Sequence, residues 1–96
     1  MTRATRIAFI VTVALGLSAA AARAECIVDY KAKRDGPLQL HYGVIQLDEA
    51  ECEEPALAVA ERIAVDGWTL LTVMDRLTEA EAEERQGDAG AYYLRY

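Results

Sequence analysis

The chain is poor in the groups that do most protein chemistry. It has one histidine, His41, and two cysteines, Cys26 and Cys52. Its single serine, Ser18, lies near the N-terminus, so residues 25–96 carry no serine nucleophile. Thr69, Thr72 and Thr78 have no evident base beside them. There is no C-x-x-C pair, no zinc-ligand spacing and no glycine-rich phosphate loop. Basic charge is scarce as well: 10 Lys+Arg face 16 Asp+Glu, a net charge of −6. Nucleic-acid binding needs a basic footprint, so that class of partner is excluded. With 96 residues the chain has room for one small domain. These absences argue against an enzyme, a resident cofactor and a metal site.

Residues 1–24 follow a recognisable plan. Arg3 and Arg6 open it, an apolar run extends from Ile7 to Leu17, and small residues lead to Ala22-Arg23-Ala24. That order is expected of a cleaved secretory signal peptide. The apolar run is too short for a bilayer-spanning helix, which takes roughly 20 residues. An uncleaved anchor is the alternative. A lipoprotein fits less well, because Glu25 separates the small residues from Cys26. Cleavage after Ala24 is therefore expected, leaving Glu25–Tyr96 as a periplasmic or secreted domain with no stable membrane span. Residues 1–24 hold three arginines and no acid, so 25–96 set seven basic residues against 16 acidic ones, a net charge of −9.

Export changes the reading of the cysteines. Two cysteines in a short exported chain predict a Cys26–Cys52 disulfide. Closing a loop of about 27 residues is worth about 3.5 kcal/mol on the chain-entropy model. A domain this small has only about 5 kcal/mol of total stability, so the bond decides much.

Residues 27–34 alternate, with Val28, Tyr30 and Ala32 on one face and Asp29, Lys31 and Lys33 on the other, as in a half-buried strand. Asp35-Gly36-Pro37 reads as a turn. Residues 38–47 are again extended. Leu38, Leu40, Tyr42 and Val44 share one parity and Ile45 and Leu47 the other, which predicts a bulge or a strand covered on both faces. Pro55 suits a first helical position. A helix over 55–66 follows, with Ala56, Val59, Ala60 and Ile63 as its stripe and Gly67 as its cap. Trp68–Leu77 is apolar on both parities and reads as a central strand, with Trp68 in the core. Thr78 and Glu81 form a capping-box pattern before a short, solvated, mobile helix over 79–86. Residues 91–96 alternate as a last strand. The expected fold is α+β: a small antiparallel-rich four-stranded sheet, β-β-α-β-β, with one main helix on one face over Val28, Tyr30, Leu70 and Leu94.

Three blocks carry a resemblance. Tyr30-Lys31 on the first strand, Gly67-Trp68-Thr69-Leu70-Leu71 after the helix, and the closing Tyr93-Leu94-Arg95 resemble the small bacterial domain-of-unknown-function family 4177. The chain is also similar to small exported bacterial proteins of unknown function that carry Asp29-Tyr30-Lys31-Ala32-Lys33, then Leu40-His41-Tyr42-Gly43-Val44-Ile45, then Asp66-Gly67-Trp68. The likeness covers nearly all of residues 25–96. The signal segment, the cysteines and the hairpin at 35–47 depart from the wider family. Neither group brings an activity, so the resemblance implies a fold and no chemistry.

For function, His41 with Asp29, Asp48 or Glu49 is the one conceivable acid–base pair, and a surface or hydrogen-bonded role is the plainer reading. Asp48, Glu49, Glu51, Glu53 and Glu54 offer oxygens to a cation but lack the glycine-centred loop of a calcium site. Tyr42, Tyr92, Tyr93 and Tyr96, with Trp68, are many aromatics for so small a domain. Parity sets Tyr93 opposite Tyr92 and Tyr96, so part of this set faces outward as a candidate binding surface. The leading expectation is a non-catalytic periplasmic binding or interaction module for a protein or small ligand. The alternative is an acidic binder of metal ions or cationic ligands.

Overall fold

The computed structural model describes residues 25–96. The expected signal peptide, residues 1–24, lies outside them. The alternating runs on either side of the Asp35-Gly36-Pro37 turn form two nine-residue strands, β1 (Cys26–Arg34) and β2 (Gln39–Leu47). They pair antiparallel without interruption from Cys26 opposite Leu47 to Arg34 opposite Gln39. Gly36 takes a left-handed φ of 80° at the turn, a conformation open to glycine. Helix α1 (Pro55–Ile63) starts on its proline. It buries Ala58, Val59 and Ile63, while Ala56 of the expected stripe is exposed. Gly67 caps the following short turn at φ 83°. Strand β3 (Thr69–Leu77) then pairs antiparallel with the other side of β1.

The sheet order is β2-β1-β3. Thus β1 is central, and β3, expected at the centre, is an edge. Two register shifts against β1 explain its double parity: bulges move residues to the other face and leave Leu71 and Met74 exposed.

The fourth strand expected at 91–96 is not formed. Gly90–Tyr92 is a turn of 3-10 helix, and residue 93 makes one isolated parallel bridge to Val44. Leu94 has a φ of 53°, which no continuing strand accommodates. It is exposed rather than packed under α1.

The principal core lies between the sheet and α1. Val28, Tyr30, Ala32, Ile45 and Leu47 meet Ala58, Val59, Ile63 and Trp68 there. Cys26 and Cys52 are joined, with their Cα atoms 6.1 Å apart, and tie β1 to the segment leading into α1. Trp68 is buried, as expected, and the Arg34 guanidinium sits 4.1 Å from the centre of its ring.

The opposite face of the sheet has a second, smaller core of Val44, Leu77, Ala82 and Ala89. It is roofed by two short helices, α2 (Glu79–Glu84) and α3 (Gln86–Ala89). The capping box forms as the sequence indicates, with the Thr78 and Glu81 side chains each accepting from the other's backbone N–H. The helix it starts is not a free solvated element. Ala82 and Ala89 are buried against the strands, because a methyl group lets the helix backbone approach the sheet closely.

Candidate functional site

The four candidate tyrosines do not form one surface. Tyr92 and Tyr96 lie on the α1 face and pack against the principal core, whereas Tyr42 and Tyr93 flank the second core.

The α1-face group closes around His41. The imidazole stacks on Tyr92 at 3.8 Å between ring centres and meets Trp68 edge-on at 4.3 Å. Its Nε2 and the Tyr30 hydroxyl are 2.9 Å apart. Nδ1 is buried without a hydrogen-bond partner. Burial, and then the charge of Arg34, push the imidazole below its usual pKa. Burial, and then the neighbouring Tyr96 and Tyr92, push the Tyr30 hydroxyl far above the ordinary phenol range. The Tyr96 hydroxyl donates to Asp66 at 2.7 Å, and Arg62 donates to the Tyr96 carbonyl oxygen at 2.8 Å. The cluster is thus a filled plug that pins the last residues to the sheet. None of Asp29, Asp48 and Glu49 hydrogen-bonds His41. Asp29 lies on the opposite face of β1.

Asp29 is itself completely buried, which alternation alone does not anticipate. Its Oδ2 accepts from the Tyr42 hydroxyl at 2.8 Å and lies 3.5 Å from Arg85 of the roof. Its Oδ1 accepts the Asp75 backbone N–H at 2.9 Å. That N–H belongs to the irregular stretch of β3, so the carboxylate satisfies a donor the bulge has displaced. Burial, and then the bond to Asp29, push the Tyr42 hydroxyl above its usual pKa.

The acidic segment is also engaged. Glu51 accepts from Arg62 and from the Asp48 backbone, and Asp48 accepts the Glu51 backbone N–H at 2.9 Å. Arg62 holds the Glu51 carboxyl down at about 2. No group of three or more His, Cys, Asp or Glu side chains is arranged to hold a metal among the described residues.

What remains open is half of the second sheet face. Asp29 pairs with Val44, Lys31 with Tyr42 and Lys33 with Leu40, so these residues share that face. The roof covers the Asp29–Val44 end and reaches Tyr42. Beyond it, Lys31, Ala32, Leu40, His41, Tyr42 and Leu71 line an open groove of about 280 Å³. Leu40 is 66% exposed and Leu71 51%. Of the four tyrosines expected as a binding surface only Tyr42 belongs here. Lys31, Leu40 and Leu71 were not singled out for binding. The split parity of residues 38–47 was the available signal, because it put leucines on a face that only part of the chain covers.

No family model, curated protein or solved structure matches the chain. The site is therefore read from its geometry. No helix among the described residues is long and apolar enough to cross a membrane.

Proposed function

We propose that the domain is a non-catalytic binding module of the periplasm or secreted space, with the open half of the sheet as its ligand surface. The observation that carries the reading is Leu40 and Leu71, two exposed leucines lining one groove beside Tyr42. Contiguous exposed apolar surface on a small domain marks an interaction site, whereas single exposed leucines do not. The other aromatic group, around His41, is filled by its own side chains and offers no comparable opening. Export is supported by the sequence of residues 1–24 and agrees with the Cys26–Cys52 bond. A protein acting there should begin at Glu25 when isolated from cells, as its mass will show.

The reading is tested with N-phenylnaphthylamine, a neutral apolar fluorophore. The folded domain should enhance its emission, and the double variant Leu40→Ser/Leu71→Ser should lose that enhancement while melting like the parent. Equal enhancement by both proteins would remove the groove from consideration.

A further inference from the structure

We infer that the groove takes a small amphiphile with a single carboxylate, its apolar chain against Leu40, Tyr42 and Leu71 and its carboxylate on Lys31. This deepens the proposed binding role and rests on it. Lys31 lines the groove, and its side chain is exposed. Among the described residues it has no ion-pair partner. Lys33, Arg62, Arg85 and Arg95 lie against Asp35, Glu51, Asp29 and Asp66, whereas Arg34 and Arg76, like Lys31, are in no ion pair among the described residues, and of these three only Lys31 lines the groove. An unpaired ammonium beside exposed leucines on an otherwise acidic domain is a site of local charge complementarity. The apolar wall also raises the value of a carboxylate there, because it displaces water from one side of the pair.

Size and field narrow the ligand. A cleft of about 280 Å³ lies at the lower edge of the range for small-molecule sites, roughly 300–1,000 Å³. It has room for one short chain. The net charge of −9 over residues 25–96 repels anions at long range in proportion to their charge, so among anions one with a single charge is repelled least. A second copy of the chain is disfavoured: a two-fold contact centred on this face would set Lys31 against Lys31. A peptide added to the β3 edge is disfavoured by the two irregularities in that strand, which blunt edge pairing.

The test compares three ligands sharing a ten-carbon chain, decanoate, decanol and decylammonium, by titration calorimetry below their micelle concentrations. Decanoate should bind tightest, by about five- to tenfold over decanol, the range expected of a partly exposed charge-assisted contact. Lys31→Gln should abolish that preference and leave decanol binding unchanged. Leu40→Ser/Leu71→Ser should weaken all three. If decanol equals decanoate, or Lys31→Gln keeps the preference, the carboxylate assignment is overturned while the apolar groove stands. If none of the three binds, the amphiphile is overturned, and the fluorophore experiment decides the groove separately.

Discussion

Gly43→Ala should damage this fold more than any surface change of similar size. Gly43 sits opposite Tyr30 in the β1–β2 ladder, and the tyrosine ring lies across it. A methyl carbon built at position 43 would stand 2.5 Å from Cζ and from the hydroxyl oxygen of Tyr30, and 2.7 Å from Cε1. The ring cannot retreat, because Tyr30 has no exposed surface and its hydroxyl is held against His41 Nε2. Overpacking of this kind costs about 1–3 kcal/mol. Displacing the ring also breaks its bond to His41, whose other nitrogen is already without a partner, for about 1 kcal/mol more. The backbone entropy gained by replacing glycine returns about 0.5–1 kcal/mol. The net loss is about 1–3.5 kcal/mol, or roughly 4–28 °C in melting temperature for a domain of this size. Urea titration followed by Trp68 fluorescence, with a thermal melt by circular dichroism, measures it. Gly87→Ala is the control: position 87 is in α3 with nothing within 4 Å of the new methyl, so it should be neutral or stabilising. A Gly43→Ala melt within about 2 °C of the parent would refute the argument that the Tyr30 ring requires a glycine beneath it.

Two further outcomes follow from the same structure. Reducing the Cys26–Cys52 bond should cost about 3.5 kcal/mol by freeing a loop of about 27 residues in the unfolded chain; a reduced, alkylated domain with an unchanged urea midpoint would contradict it. His41 carries a depressed pKa when folded, so below its unfolded value near 6.5 the unfolded chain binds more protons. Its contribution is complete above about 6.5 and is lost as pH falls through the lower folded value. Urea midpoints between pH 7.5 and about 5 should fall for the parent and stay nearly flat for His41→Phe, and a flat parent would overturn the assignment. Glu51 does not confuse this window: its carboxyl is held at about 2, so its share is lost only in stronger acid.

The parts of the fold legible in the sequence are those written in backbone chemistry. The turn at Gly36, the helix start at Pro55, the cap at Gly67 and the box of Thr78 and Glu81 are each fixed by a residue's own φ preference or hydrogen-bonding reach. The parts that were not legible depend on what lies across the sheet. Asp29 looks like a solvent-facing residue by alternation, yet Tyr42, Arg85 and the Asp75 N–H make it a buried hub. Ala82 and Ala89 look like helix filler, yet their small size is what lets α2 and α3 lie on the strands. The alternation of 91–96 is real in the sequence. That alternation still sets Tyr93 toward one face and Tyr92 with Tyr96 toward the other, while the left-handed residue at 94 stops the segment continuing as a strand.

The open groove follows from lengths. A nine-residue strand extends about 30 Å at roughly 3.3 Å per residue. The six and four residues of α2 and α3 make helices only about 9 and 6 Å long at 1.5 Å per residue. On the α1 face the helix, the buried Trp68 and the tyrosine plug together span the sheet. On the other face the two short helices are held at one end, where Arg85 meets Asp29 and residue 93 bridges to Val44. They reach as far as Tyr42 and no farther. Leu40 and Leu71 therefore stay exposed because the roof is shorter than the strands beneath it, and Lys31 is left between them without a partner from the domain's own acids.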